Sequence, residues 1–339
     1  MGRLKLAICD EDEIYCRRLN EYLHDNLKLN FDICSFTDLS LLTEYARQKT
    51  VSLLMIAESA FYELESSMDK ALFKNVMVLD EENIGCGMLR DENPEDSRIE
   101  YISKFQPAMR IIDGIVDFCT AYPQDFGEIA TRAVTGAGKI IGFYTPIGKC
   151  GQTHFAMSMA EELAKRTEKR VIFLSFESFS SLPQILGCEW NRDITDLMYY
   201  ADCDGARISL YTEKIKVTRN GVDYILPART GAQMQDIEYE KVRSLIECLI
   251  KEIGYEYVVI DLSEHPQRFL DIASLCHRLF SIIGSGENDD FKMKIFDEIL
   301  EESGYEELKT RIVKCRLSDY RDKELYENNV KNLIDSEEL

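Results

Sequence analysis

The chain has 339 residues, of which 45% are hydrophobic and 30% are charged, and it carries a net charge of −21. This composition predicts a folded protein of two compact domains, and the acidic surface argues against direct nucleic-acid binding because it would repel phosphate backbones. No apolar run reaches the roughly 18 residues that span a bilayer, and the eleven cysteines are scattered singly, so we expect a cytoplasmic protein without direct membrane insertion.

Residues 1–122 alternate short apolar runs with helical patterns. Apolar runs predict five strands, at 4–9, 31–36, 51–57, 74–80 and 99–105. Helical periodicity predicts helices at 13–27, 38–48 and 107–122. Five strands alternating with helices predict a parallel sheet covered on both faces, which is a three-layer α/β domain. Residues 123–138 are richer in glycine and polar residues and are predicted to form a linker.

Residues 139–339 repeat the alternation and predict a second three-layer α/β domain. Strands are predicted at 139–146, 169–177, 221–228 and 255–263, with one helix and one further strand inside 270–284. Helices are predicted at 153–167, 194–201 and 238–254. After Gly286 we predict an acidic helical tail whose last residues, NLIDSEEL, are frayed.

Acidic residues follow the first predicted strand, where ICDEDE places Asp10 and Glu11, and Lys104 ends the fifth in ISKFQP. This order resembles the response-regulator receiver domain. The resemblance implies that the acidic pair holds Mg²⁺ and that the lysine contacts a phosphoryl group on an aspartate that ends the third strand. Ala57 takes the place of that aspartate, so we predict a pseudo-receiver that keeps a docking or dimerising face. The alternative for DEDE is a solvated helix start.

The stretch GFYTPIGKCGQT joins a predicted strand to a predicted helix. A phosphate-binding loop needs glycines that let backbone N–H groups turn toward the phosphates, with a helix N-terminus beneath them. Glycines stand at two such positions, and Thr153 has the hydroxyl that these loops use to bind Mg²⁺. The predicted nucleotide contacts are Gly148, Lys149, Cys150, Gly151, Gln152, Thr153 and His154. For the loop alone, a strand–helix turn without a ligand is the alternative.

The loop resembles the deviant phosphate loop of the MinD and ParA family, K-G-G-x-G-K-T. Ile147 stands where the family has a lysine that reaches across a dimer, and Gln152 where it has the lysine that bridges the terminal phosphates. Lys149 stands where a glycine is usual, and we expect it to restore one positive charge. The electrostatic stabilisation of a developing phosphate charge is therefore weakened.

Three later landmarks extend this resemblance across the second domain. KRVIFLSFESF has Ser175, Phe176 and Glu177 where the family has D-x-D, and Glu177 is the candidate for positioning water. YEYVVIDLSEHP places Asp261 at the position of the aspartate that binds Mg²⁺ through water, and YILPARTG resembles the family's LP-x-x strand end.

A pseudo-receiver followed by a MinD-like domain is similar to the TadZ and CpaE family, the localisation proteins of Flp-type (tight adherence) pilus assembly, which is related to type II and IV secretion. This resemblance implies ATP and Mg²⁺ as cofactors, a homodimer, pilus or secretion assembly proteins as partners, and recruitment to the pole or assembly site. Any ATPase activity is expected to be slow. Two alternatives stay open: a nucleotide-free scaffold or adaptor, and a MinD-like regulator of flagellar number or transcription.

Overall fold

The chain forms two compact units, Met1–Thr131 (unit 1) and Arg132–Leu339 (unit 2). The computed structural model describes residues 4–27, 29–81, 98–126, 138–148, 150–200, 205–263, 268–284, 286–316 and 323–339. No helix within these ranges combines the length and apolar character needed to cross a membrane. Each unit is built on a parallel or largely parallel sheet with helices, so the predicted α/β class is confirmed.

Unit 1 is a five-stranded parallel sheet with its connecting helices. The strands are β1 (Lys5–Cys9), β2 (Asp32–Phe36), β3 (Leu53–Ala57), β4 (Asn75–Asp80) and β5 (Arg98–Ser103). The helices are α1 (Glu13–Asn26), α2 (Leu39–Gln48), α3 (Glu58–Glu65), a 3-10 helix (Met68–Leu72), α4 (Ala108–Ala121) and α5 (Pro123–Phe126). The strand order β2-β1-β3-β4-β5 is a doubly wound arrangement, whose ligand sites lie at the carboxyl ends of the strands.

All five strands predicted for unit 1 are present, whereas α3 lies where the sequence predicts no element. Its short apolar face, which includes Phe61 and Leu64, is buried against the core and shows only about two helical turns of periodicity. The predicted linker also starts later than residue 123. Residues 123–126 form α5, because Phe126 is buried against Phe31 and Phe118. Residues 127–137 of the predicted linker lie outside the described residues.

Unit 2 contains a seven-stranded sheet. Its strands are β6 (Lys139–Phe143), β7 (Val171–Ser175), β8 (Val217–Arg219), β9 (Val222–Ile225), β10 (Tyr257–Asp261), β11 (Arg278–Ile282) and β12 (Ile312–Cys315). Its helices are α6 (Gln152–Thr167), α7 (Leu182–Leu186), α8 (Ile194–Tyr199), α9 (Gly205–Ile215), α10 (Gly231–Gln235), α11 (Tyr239–Lys251), α12 (Phe269–Ser274), α13 (Glu287–Glu302), α14 (Glu306–Arg311) and α15 (Lys323–Ser336). The order is β12-β11-β6-β10-β7-β9-β8, and only the β8–β9 pair is antiparallel among these strands.

The two edge strands of unit 2, β8 and β12, were not predicted from the sequence. Strand β8 has three residues and β12 has four, and each pairs with one neighbour. The prediction of a wholly helical tail after Gly286 is therefore wrong, because Ile312 and Val313 extend the chain alongside β11. Such β-branched residues favour extended backbone even in a run too short to show periodicity.

The predicted fraying of NLIDSEEL is also wrong. In α15 the side chains of Val330 and Ile334 are buried in a hydrophobic cluster shared with α6. Arg166 of α6 lies 2.6 Å from the Asp335 carboxylate. The tail is held because its few apolar residues fall on one helical face.

A network of charged side chains is buried beside the β8–β9 hairpin. The Lys216 ammonium lies 2.7 Å from the Glu213 carboxylate and 2.9 Å from Asp223 Oδ2, and all three side chains are largely buried. The Tyr255 hydroxyl donates to the same Asp223 oxygen at 2.8 Å. Burial raises the pKa of Asp223, but the ammonium and the donated hydrogen bonds outweigh burial and hold that pKa below its usual value.

Removing the cation from this network should destabilise unit 2. We expect Lys216→Met to lower the free energy of unfolding by about 3–5 kcal/mol, because two buried carboxylates lose the ammonium between them and Asp223 is left without a cation. The matched control is Lys309→Met, whose exposed ion pair with Glu301 should contribute little to stability because solvent screens it. Chemical denaturation at neutral pH measures both values.

The effect should depend on pH with a defined sign. The folded-state pKa of Asp223 is lowered, so its contribution is present above the unfolded pKa of about 3.9 and is lost as the pH falls through the folded value. The difference between Lys216→Met and the native chain should shrink over that acidic window. Equal losses for Lys216→Met and Lys309→Met would contradict the buried network.

Candidate functional site

Three parallel strands of unit 2 end at the same level. Asp261 at the end of β10 is in register with Phe143 of β6 on one side and Ser175 of β7 on the other. Close packing around β6 requires Gly142, since a Cβ there would lie 2.5 Å from Cys276 Sγ. The shared register brings the strand-end aspartate beside the loop that leaves β6.

Residues 144–148, 150 and 151 are the described part of that loop, which leads into α6. The Thr145 hydroxyl donates to the Ile282 carbonyl at 2.7 Å and accepts from the Ile147 N–H at 3.2 Å, which anchors the first half of the loop to β11. Gly148 is open, since a Cβ there would meet no atom of the described residues within 4 Å. Gly151 adopts φ +81°, a left-handed conformation that favours glycine, immediately before the 16-residue helix. An accessible glycine beside a long helix N-terminus suits an anion.

Two neutral residues stand where the resemblance expects lysines, and both are turned inward. Ile147 is buried in the main hydrophobic cluster of unit 2. Gln152 is also buried, and its Nε2 donates to the Phe143 carbonyl at 3.1 Å and to Asp261 Oδ1 at 2.7 Å. Gln152, predicted as a nucleotide contact, therefore serves the strand-end aspartate. Lys149 lies outside the described residues.

Asp261 is fully buried, and its two oxygens differ in their surroundings. Oδ1 accepts from Gln152 and from the Ser263 hydroxyl, each at 2.7 Å. Oδ2 has no hydrogen-bond partner within the described ranges, and neither has Ser175 Oγ on the neighbouring strand. Burial raises the pKa of Asp261, and hydrogen bonds from the side chains of Gln152, Ser263 and Thr153 offset only part of that rise. A buried carboxylate oxygen without a partner is costly and marks a place where a cation or donor would be stabilising.

The predicted Mg²⁺ ligand Thr153 lies next to this carboxylate. Its hydroxyl is 3.4 Å from Ser263 Oγ, which in turn donates to Asp261. The structure thus joins Gln152, Thr153 and Asp261 into one polar cluster. The sequence prediction missed Ser263, although a hydroxyl residue two positions after a strand-end aspartate was the available signal.

The remaining predicted site residues have other surroundings. Glu177 follows β7 and accepts a 2.7 Å hydrogen bond from the Ser180 hydroxyl of its own loop. His154 is exposed on α6. Burial raises the pKa of the Cys150 thiol, which keeps the thiol protonated and disfavours a role as a nucleophile.

The loop after β7 is tied to the end of β9 through an aromatic residue. Phe179 adopts φ +52°, which is unusual for a bulky side chain, and its N–H donates to the Arg229 carbonyl at 3.2 Å. The Arg229 guanidinium lies 5.7 Å from the Trp190 ring centroid. Trp190 Nε1 donates to the Pro227 carbonyl at 3.1 Å. Non-covalent contacts therefore hold the loop after β7 against the segment that follows β9.

Replacing Gln152 by leucine should test its inward role. We expect Gln152→Leu to lower the free energy of unfolding by about 1–3 kcal/mol, since the Phe143 carbonyl and Asp261 each lose a donor in a buried site. Gln235→Leu, at an exposed position of α10, is the control and should change stability little. Identical denaturation midpoints for native chain and Gln152→Leu would show that the amide is not needed there.

Unit 1 holds the second predicted pocket. The Lys104 ammonium lies 2.8 Å from Asp10 Oδ2 and 2.7 Å from Glu81 Oε1, and both Lys104 and Asp10 are buried. Burial lowers the pKa of Lys104, but hydrogen bonds to the two carboxylates outweigh it and raise that pKa, so the cation persists. Ala57 ends β3 as predicted, fully enclosed, and Glu11 is exposed.

This pocket does not fit the Mg²⁺ that the receiver resemblance implies. The lysine already neutralises Asp10, so the predicted acidic pair is not free for a cation. Across the described parts of the chain, no group of three His, Cys, Asp or Glu residues is arranged to hold a metal ion. The neighbouring Glu58 accepts a hydrogen bond from Tyr62 at 2.7 Å and does not replace the missing aspartate.

Unit 1 should therefore not accept a phosphoryl group. We expect no phosphate adduct after incubation of the full chain with acetyl phosphate and Mg²⁺, because position 57 offers no carboxylate. Intact-mass spectrometry measures this, with an active receiver domain in the same tube as positive control. An adduct mapped by peptide analysis to residues 1–122 would contradict the assignment.

Comparison with protein-family models and with curated proteins finds no match. Among solved structures, the chain is similar to a ParA family ATPase from Chlorobium tepidum TLS, with 17% identity, a TM-score of 0.47, and coverage of 58% of this chain and 81% of that one. A putative plasmid partition protein of Borrelia burgdorferi B31, bound to AMPPNP, matches with 15% identity, a TM-score of 0.44, and coverage of 59% and 98%.

A cobyrinic acid a,c-diamide synthase from Mycobacterium smegmatis, with bound ATP analog and magnesium, matches with 12% identity and a TM-score of 0.40. The match covers 59% of this chain and 82% of that protein. At these identities and scores, the chemistry of the site has to be argued from the residues of this chain.

Proposed function

We propose that unit 2 binds Mg²⁺–ATP and hydrolyses it slowly or not at all, and that the protein acts as a dimerising localisation and assembly factor for a pilus or related secretion machine. The observation that carries the nucleotide part is Asp261 Oδ2. This fully buried carboxylate oxygen has no hydrogen-bond partner within the described residues, and it belongs to the same cluster as Thr153 at the start of α6.

The side chains present fit this cofactor. Mg²⁺ prefers oxygen ligands and is commonly held by one or two protein groups together with phosphate oxygens, so a full protein cage is not required. Thr153 and Asp261 would hold the ion, directly or through water, and the amides of Gly148 and Gly151 with the α6 N-terminus would bind the phosphates. When bound, the ion would neutralise charge on the phosphate groups.

Weak hydrolysis follows from the neutral residues around this site. Ile147 and Gln152 supply no positive charge, and both side chains are buried in contacts within unit 2. Stabilisation of a developing phosphate charge would depend on Lys149 and the bound ion. Glu177, held by Ser180, is the candidate for positioning water.

The finer assignment rests on the resemblance to the TadZ and CpaE family. In this proposal unit 1 is a pseudo-receiver that serves as a docking surface, and its Lys104–Asp10 ion pair maintains a single state without phosphorylation. Pilus or secretion proteins would be the partners, and they would recruit the protein to the pole or assembly site.

A nucleotide-free scaffold is the second candidate. The observation that favours it is Gln152, whose amide satisfies Asp261 Oδ1 and the Phe143 carbonyl from within the protein. A scaffold has no use for Thr153 or for an unpartnered Asp261 oxygen, which favours the first candidate. Among the described residues, no contact specifically supports a regulator of flagellar number or transcription.

Calorimetry and thermal shift with ATP and Mg²⁺ separate the two candidates. We expect ATP with Mg²⁺ to raise the melting temperature, because a ligand far above its dissociation constant stabilises the folded state. Thr153→Ala and Asp261→Asn should each weaken binding about tenfold or more, equivalent to about 1.4 kcal/mol. Lys149→Ala measures whether that lysine contributes to phosphate binding.

Thr167→Ala is the matched control, since it removes a threonine hydroxyl from the opposite end of α6. This variant should bind ATP as the native chain does. Absence of both heat and thermal shift at millimolar ATP would leave the scaffold as the remaining function.

A further inference from the structure

Helix α13 has two apolar ridges, of which only one is used by the core. Met293, Phe296 and Leu300 are buried inside unit 2. Phe291, Ile295 and Ile299 are exposed, with 62%, 39% and 44% of their surface accessible. Residues four apart lie above one another on a helix, so these three form a continuous surface, the α13 stripe.

The α13 stripe adds apolar surface that helix α13 does not need for packing inside unit 2. A helix needs a single apolar face to dock on its own sheet, and the opposite face is ordinarily polar. Isolated exposed apolar residues are common, whereas three large ones in helical register form a patch of the kind that marks interaction surfaces. From Phe291 to Ile299 the stripe extends about 12 Å along the helix axis, which equals two to three helical turns.

The charge around the stripe is strongly negative. Helix α13 carries seven carboxylates and two lysines, and two of the carboxylates, Asp297 and Glu301, are paired with Lys314 and Lys309 of neighbouring elements, which leaves a net charge of −3 within a chain of −21. Glu287 lies four residues before Phe291, and Glu298 and Glu302 lie on the side of the stripe near Ile299. Lys292, three residues before Ile295, and Lys294, 3.6 Å from Glu298, offset part of this charge, and the Lys294–Glu298 pair is exposed and contributes little.

The negative charge of helix α13 favours some binding partners of the stripe over others. A second copy packed across a two-fold axis would set −3 against −3, and an anionic lipid surface or a nucleic acid would be repelled in the same way. A positively charged partner is instead attracted over about a Debye length and gains from burying the apolar residues.

We propose that the α13 stripe is the docking site for a basic amphipathic helix of another protein. The partner segment would present apolar residues at i, i+3 or i+4, and i+7 toward Phe291, Ile295 and Ile299, with lysines or arginines on its flanks facing the glutamates. This helix-on-helix mode buries the stripe and pairs the charges at its rim. The proposal does not depend on nucleotide binding by the loop after β6.

The test uses the full chain and three labelled synthetic peptides of equal length. One is a basic amphipathic helix, the second has the same composition in scrambled order, and the third has the same apolar pattern with glutamates in place of lysines. Fluorescence anisotropy should show the first peptide binding at least about tenfold more tightly than either of the others, with affinity falling as salt rises.

Variants of the chain locate the contact. The triple change Phe291→Ser, Ile295→Ser and Ile299→Ser should weaken the basic peptide about tenfold or more, and Glu298→Lys with Glu302→Lys should weaken it comparably. Phe105→Ser, an exposed aromatic of unit 1, and Glu252→Lys, an exposed acid near the end of α11, are the controls and should bind as the native chain does. Circular dichroism checks that each variant is folded.

Several outcomes would overturn the proposal. They are equal binding of ordered and scrambled peptides, unchanged affinity in the triple variant, and failure of the basic peptide to bind at all. Stripe-dependent self-association in sedimentation, or stripe-dependent binding to phosphatidylglycerol vesicles without peptide binding, would assign the surface to a second copy or to lipid instead.

Discussion

The architecture of unit 2 around its site depends on a carboxylate that is taken out of water at the shared end of three parallel strands. Burial of an acid is tolerated only where neighbouring donors compensate it. Here the donors are Gln152 from the start of α6 and Ser263 from the loop after β10. The position of the helix, the course of the loop and the register of the strands are thus linked through Asp261.

The buried strand-end aspartates of the two units have different neighbours, which are neutral in unit 2 and include a cation in unit 1. Beside Asp261, Gln152 and Ser175 are neutral where the MinD and ParA resemblance expects a lysine and an aspartate, so one charge of each sign is absent together. In unit 1 the charges are retained, and Lys104 is shared between Asp10 and Glu81. In both units, the described side chains supply hydrogen bonds or ion pairs to the buried strand-end aspartate.

Much of the architecture could be predicted because buried parallel strands are continuous apolar runs, such as LLMIA in β3 and YVVID in β10. The missed elements are short or depend on distant contacts. Strand β8 has three residues and no pattern of its own, and α15 is held by packing on α6 that the sequence NLIDSEEL does not reveal. Among the site residues, position was predictable but orientation was not. The sequence places Gln152 and Ile147 in the loop, whereas only the fold shows that both side chains turn inward.

The setting of Trp190 has a practical consequence for following this molecule in solution. It is the single tryptophan of the chain, and it belongs to unit 2. Its indole N–H donates a hydrogen bond to the Pro227 carbonyl, and the Arg229 guanidinium lies near its ring. The Arg229 carbonyl also accepts a hydrogen bond from Phe179 in the loop after β7. Intrinsic emission excited at the red edge of protein absorbance would therefore arise from unit 2 alone. The same native fluorophore follows the melting of unit 2 by itself and reports on the loop beside the strand ends, without a dye or an engineered probe.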